Sequence, residues 1–249
     1  MKYILCLILI NLILLTVVGV IILFFIYKKK YCYNNLKYPF PEPSFVISIH
    51  PNRYTDFKNR LKQWNSHINL YNGVIGIKLK REKLISDGIL DKDSDLTLGQ
   101  IGCWLSHYNL WKKIKDEKIS YMTIFEDDVN IDVSYNTIKL VNTSMKELKD
   151  NKIKWDVIYL GSIRRHRKIN GKNKILPHWS IPVKCCGNFF YNISYKGACK
   201  LLNKAMPIKK RPVDNFIMDM NNKKKLNVLH LNPSLCYVVP VISSTSLKK

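Results

Sequence analysis

Tyr121-Met122-Thr123-Ile124-Phe125-Glu126-Asp127-Asp128 is the stretch on which the fold turns. Its first five residues have the length and β-branched, apolar character of a buried strand, and the run breaks at once into three carboxylates. In open α/β sheets, ligands bind beyond the carboxyl ends of strands. Three consecutive carboxylates at such an edge repel one another. A divalent cation that prefers hard oxygen ligands, Mn²⁺ or Mg²⁺, relieves that repulsion. Such an ion can neutralise a diphosphate leaving group. The plain alternative for the same residues is an acidic turn facing water.

Strand and helix patterns alternate on both sides of this stretch. Upstream, Thr97-Leu98-Gly99-Gln100 fits a capping box. Ile101, Trp104, Leu105, Tyr108, Trp111 and Ile114 then line one face of a helix. Nearer the N-terminus, Phe45 to Ile49 reads as a strand. Thr55 or Asp56 is the expected cap of a helix carrying Phe57, Leu61 and Trp64, and Val74 to Leu79 reads as a second strand. Downstream, Trp155 to Leu160 reads as a strand stopped by Gly161, and Phe189 to Ile193 as another. Ser194 can cap a helix carrying Ala198, Leu201 and Leu202, and late strands are expected at Val228 to Leu231 and Leu235 to Val239. This order predicts an α/β domain with a largely parallel sheet. Asp91-Lys92-Asp93-Ser94-Asp95 is not a calcium loop, because Leu96 and Gly102 stand where that loop needs Gly and Glu.

The chain has 249 residues and a net charge of +23, and its 47% hydrophobic content excludes a disordered charged polymer. No charge occurs from Tyr3 to Tyr27, and Lys28, Lys29 and Lys30 follow without a small-residue cleavage site. This pattern predicts one uncleaved N-terminal transmembrane helix and a single-pass membrane localisation. The expected organisation is an anchor over residues 1–30, a Pro-rich linker over 31–44 and a catalytic domain over 45–249. Orientation is in conflict. The lysine count favours a cytosolic domain, whereas the sequons at Asn142 and Asn192 suit a lumenal one. The cysteines show no CxxC pair and no zinc-ligand spacing.

The stretch from Leu96 to Trp111 (LTLGQIGCWLSHYNLW), followed by Ile124-Phe125-Glu126-Asp127-Asp128-Val129, closely resembles glycosyltransferase family 25. Three further matches come in order: Trp155 to Gly161, Lys196 to Leu202, and Pro212-Val213-Asp214. The resemblance spans about residues 45–240. It implies a Rossmann-like, A-type glycosyltransferase fold that takes a nucleotide-sugar donor, commonly UDP-galactose, with Mn²⁺ or Mg²⁺. Carried over, Asp127 and Asp128 hold the metal and Glu126 faces the nucleotide or ribose. Asp214 is the candidate general base of an inverting transfer, its plain alternative being a helix cap. The implied acceptor is a hydroxyl on a glycan or a protein, collagen-like proteins included, and the implied compartment is the ER or Golgi lumen. Two departures stand out: Gln100 where the family usually has Glu, and Asn192 where it usually has an apolar residue.

Arg53, just after the first strand, is placed to reach a uracil or a phosphate. His107 is expected in the core, His230 is a weaker candidate for a third metal ligand, and Arg164 to Lys168 form a basic loop. Two other functions compete with the enzyme: a catalytically silent relative acting as a membrane-anchored binding or adhesion module, and a polyanion binder. The second has only charge behind it. No aromatic-basic reader motif is present, so no nucleic-acid partner is expected.

Overall fold

The computed structural model describes residues 3, 11–25, 37–161, 173–183 and 187–238. Its helices and strands, in chain order, begin with helix α1 over residues 11–25. Then come β1 (Ser44–Ser48), α2 (Pro51–Arg60), β2 (Ile68–Asn72), α3 (Arg81–Ser86), α4 (Leu98–Asp116), β3 (Tyr121–Glu126), β4 (Val129–Ile131) and α5 (Tyr135–Asp150). The second half holds β5 (Val157–Tyr159), β6 (Lys174–Leu176), β7 (Trp179–Ser180), β8 (Phe190–Ser194), α6 (Tyr195–Ala205), α7 (Val213–Asn222), β9 (Val228–Leu231) and β10 (Cys236–Val238).

No helix among the described residues is long and apolar enough to cross a membrane. The transmembrane helix, the membrane as a partner and the single-pass localisation are corrected on this ground. Parts of the expected anchor and linker, residues 4–10 and 26–36, lie outside the described residues, as does the basic loop Arg164 to Lys168.

Eight strands form one sheet in the order β2-β1-β3-β8-β5-β9-β7-β6, and β4 pairs with β10 apart from it. β1, β2 and β3 are mutually parallel, as are β5 and β9, but β8 runs antiparallel to both β3 and β5. β7 is antiparallel to β9, and β6 to β7. The sheet is therefore mixed, which corrects the expected largely parallel sheet. The reversal of β8 matters for the site. Its beginning lies at the edge where β1, β3 and β5 end, so the residues just before it, Gly187 to Phe189, line that edge.

Both faces of the sheet are covered. Met122, Ile124, Tyr191 and Ile193 face a core shared with Trp104 and Trp111 of α4, Leu201 of α6 and Ile217 of α7. Phe125, Phe190 and Ile158 face a second core with Phe40, Phe57, Trp64 and Trp179. This two-sided burial explains why β3 lacks the polar–apolar alternation of a half-exposed strand.

Local chemistry accounts for most element boundaries. Thr97 Oγ1 accepts from Gln100 N–H at 3.2 Å while Gln100 Oε1 accepts from Thr97 N–H at 2.9 Å, so the capping box forms with Gln in place of Glu. Helix α2 starts at Pro51, not at Thr55 or Asp56, because proline suits the first helical position and has no N–H to leave unsatisfied. The expected strand at Val74 to Leu79 is instead a loop with a short 3₁₀ turn at Gly76–Lys78, and the neighbour of β1 is Ile68–Asn72. Gly102 explains the loop. A Cβ there would lie 2.6 Å from Val74 O and 2.9 Å from Gly76 N, so α4 packs directly on the loop backbone.

Asn192 is 1% exposed and its Oδ1 lies 2.9 Å from Thr123 Oγ1 across β3 and β8. The departure from an apolar residue is thus met by a cross-strand hydrogen bond, and this sequon is buried in the folded chain. Asn142 is exposed on α5.

Candidate active site

Glu126 is the last residue of β3, and Asp127 and Asp128 make the turn into β4. The parallel register pairs Ile47 with Glu126, which sets Ser48 beside Asp127. Ser48 Oγ donates to Asp127 Oδ2 at 2.5 Å. Helix α2 leaves the same edge and returns two arginines to the turn. Arg53 Nη2 pairs with Asp127 Oδ1 and lies 4.0 Å from Asp128 Oδ2. Arg60, two helical turns further along the same face, donates from Nη2 to Asp127 O at 2.6 Å.

The two aspartates are held differently. Asp127 is 5% exposed and fully engaged by Ser48 and Arg53. Burial raises its pKa, and the Ser48 hydrogen bond and the Arg53 charge work against that rise. Asp128 Oδ1 is buried with no hydrogen-bond partner. Burial, then the charge of Glu126, pushes Asp128 up from 3.8 to about 7. A buried carboxylate oxygen without a donor, beside two more carboxylates, is the kind of group a hard divalent cation satisfies. The residues present fit a Mn²⁺ or Mg²⁺ ion at Asp128 better than at Asp127.

Helix α4 supplies the opposite wall. His107, fully buried, contacts Tyr191 Oη through Nδ1 at 2.9 Å and Glu126 Oε1 through Nε2 at 3.1 Å. Trp111 Nε1 donates to the same Tyr191 oxygen at 3.1 Å. One turn before His107, Cys103 is pushed up by burial first and then by Glu126, Asp214 and Asp128. The fields of three carboxylates from different elements therefore meet at one thiol.

Asp214 stands in the first turn of α7. Its Oδ1 accepts from Asn215 N–H at 2.8 Å, and its Oδ2 from Gly187 N–H at 3.0 Å. Gly187 has φ +90°, a conformation that favours glycine, and it belongs to the edge segment that the reversed β8 creates. Asp214 thus takes one amide in the first turn of its own helix and one from the edge segment.

The edge brings together Arg53, Glu126, Asp127 and Asp128, with Asp214 in electrostatic reach of Cys103. It does not bring His230 to them. That residue is in β9, with β8 and β5 between it and β3, about 14 Å away at normal strand spacing. Ser48, Arg60, Cys103, Tyr191 and Gly187 had no role in the sequence reading. Arg60 carried a legible signal, its seven-residue spacing from Arg53. Tyr191 carried none, because it reads only as one apolar residue of a buried strand. Two motifs of the resemblance prove structural. A Cβ on Gly197 would lie 2.4 Å from Asp156 O, and buried Asp156 takes Lys200 Nζ at 2.5 Å and Asn227 N–H at 2.8 Å.

The chain matches the profile of glycosyltransferase family 25 (LPS biosynthesis protein) over residues 42–217. It is 33% identical over 135 residues, 53% of its length, to procollagen galactosyltransferase 1-A of Xenopus laevis. It is 36% identical over 132 residues, 51% of its length, to procollagen galactosyltransferase 1 of Danio rerio. It is also 30% identical over 126 residues, 49% of its length, to a Rattus norvegicus protein named probable inactive glycosyltransferase 25 family member 3. Each of these matches takes in 21% of the relative, so the chain spans about a fifth of the length of these curated relatives. The profile match runs from just before β1, through the capped helix α4 and the carboxylate turn after β3, to Asp214 in α7, and on that extent the chain belongs to glycosyltransferase family 25.

Proposed function

We propose that this chain transfers a sugar from a nucleotide-sugar donor, a UDP-sugar such as UDP-galactose, to a hydroxyl of a protein or glycan acceptor. The observation that carries the reading is the buried, unpartnered Asp128 Oδ1 among three consecutive carboxylates, with Arg53 as the cation against them. Asp128 is the proposed ligand of a Mn²⁺ or Mg²⁺ ion, with Asp127 alongside. The ion, when bound, supplies positive charge against the developing charge of the diphosphate. Arg53 and Ser48 hold Asp127 and so fix the turn; in this reading Arg53 orients the triplet instead of reaching a uracil. Glu126 presents its carboxylate to the nucleotide or ribose. Asp214, oriented by the Gly187 and Asn215 amides, is the proposed base that takes the acceptor proton in an inverting transfer.

The alternative is a silent relative acting as a binding or adhesion module, favoured by the inactive naming of a relative matched almost as well as the galactosyltransferases. All four candidate carboxylates are present here, which supports the enzyme. Hydrolysis of a panel of UDP-sugars by the purified chain, with and without Mn²⁺, tests the two readings. Mn²⁺-stimulated release of UDP is expected; no turnover of any donor refutes the enzyme.

A further inference from the structure

The hydrogen bonds from Trp111 to Glu126 can run in only one direction. The indole Nε1 is a donor only, so Trp111 donates to Tyr191 Oη. The Tyr191 hydroxyl proton points to its other partner, His107 Nδ1, which therefore accepts. The remaining imidazole nitrogen, Nε2, then carries the ring proton and donates to Glu126 Oε1. Burial holds the Tyr191 phenol well above its ordinary range, so that proton stays on Tyr191.

Every side-chain polar atom of Trp111, Tyr191 and His107 is committed, and the set crosses the core from α4 through β8 to the end of β3. Burying an imidazole, a phenol and an indole nitrogen is costly unless each is paired. Apolar residues would fill the same space without that demand. Cys103 Sγ, His107 and Glu126 also place their ligand atoms within 4.8 Å of one another, a spacing a metal could use. Both imidazole nitrogens are already taken, however, and the set ends on the carboxylate that borders Asp127 and Asp128.

We infer that His107, Tyr191 and Trp111 are positioning residues for the donor site: a buried one-way hydrogen-bond chain that ties down one Glu126 oxygen and aims the other at the ribose or nucleotide of the donor. The inference rests on the donor reading above and assigns the chain a purpose within it. It gives His107 and Trp111 of α4 a role beyond core packing.

UDP with Mn²⁺ is the probe. Binding is measured by calorimetry on the full chain for the wild type, Glu126→Gln, Tyr191→Phe and the double variant. Glu126→Gln is expected to weaken UDP about tenfold, the scale of one lost charge-assisted hydrogen bond. Tyr191→Phe removes one oxygen and leaves Glu126 untouched, yet it is expected to weaken UDP roughly three- to tenfold. The double variant is expected to bind no worse than Glu126→Gln alone, because the two substitutions break one chain. Wild-type affinity in Tyr191→Phe, or full additivity in the double variant, overturns the inference.

Leu229→Ala, in the other core, serves as a control that lowers stability without touching the chain; equal loss of UDP affinity in it also overturns the inference. Imidazole ¹⁵N shifts give a readout that needs no donor. His107 should be protonated at Nε2 and bare at Nδ1, and the reverse tautomer overturns the chain itself. A wild type that shows this tautomer but binds no UDP instead refutes the donor reading, and with it the purpose assigned here.

Discussion

Asp128→Asn should make the metal-free protein more stable while removing its response to Mn²⁺. In the folded chain Asp128 is desolvated, Oδ1 has no donor, and Glu126 and Asp127 add like charge beside it. Its pKa rises from 3.8 to about 7. The sign follows from proton uptake. Between these two values the folded state holds a proton that the unfolded state has released. Stability from this group is therefore fully present below pH 3.8 and is lost as pH rises through about 7. The full shift corresponds to about 4 kcal/mol, a ceiling because the site is shared with Glu126. Asparagine keeps the shape without the charge, so a gain of about 2 kcal/mol at pH 8 is a reasonable expectation. Urea denaturation in EDTA at pH 8 and pH 5 measures it. The variant should be the more stable at pH 8, and its advantage should shrink at pH 5. Mn²⁺ should raise the wild-type midpoint and leave that of Asp128→Asn unchanged. Equal stability of the two proteins in EDTA at pH 8 would refute the argument that the Asp128 charge is buried and poorly compensated. An unchanged Mn²⁺ response would move the metal elsewhere.

Asp214→Asn keeps the size but can accept neither a proton at neutral pH nor both the Gly187 and Asn215 amides, so transfer should fall roughly 10²-fold or more while Mn²⁺-dependent UDP binding persists. Near wild-type transfer would leave Asp214 only its hydrogen bonds to the Gly187 and Asn215 amides. Gly102→Ala should cost about 1–3 kcal/mol in urea denaturation although alanine favours helices, because its Cβ would press on the backbone at Val74 and Gly76. A more stable variant would show that the close approach is not rigid. His230 has an unpartnered buried Nδ1, and burial lowers its pKa from 6.5 to about 4. Its contribution is present above pH 6.5 and is lost as pH falls through about 4, about 3 kcal/mol in all. The stability difference between wild type and His230→Gln should therefore shift toward the variant between pH 7 and pH 4.5, and a flat difference would contradict it.

Several features were legible in the chain by itself because the information is local. The capping box and the apolar stripe of α4 lie within one helix, and strand β3 announces itself by an apolar run that stops at Glu126. Helix α5 was equally local, with Ser134 as cap and Ile138, Val141, Met145 and Leu148 at helical spacing, although the motif reading passed over it. The family motifs were legible for the same reason, as short contiguous strings. Three-dimensional pairing decided the rest. The five residues of β8 are buried on both faces, so their pattern is the same whichever way the strand runs; only pairing with β3 and β5 made it antiparallel. That direction is what carries Gly187 to Asp214. Asp127 meets Ser48 across 79 residues, and His107 meets Tyr191 across 84. A contact over such a distance leaves no periodicity in the sequence, since it depends on sheet register and helix placement. The identity of the carboxylates was therefore written in the chain, but which aspartate has both oxygens engaged and which keeps one without a donor was decided by the neighbours that folding brings to each.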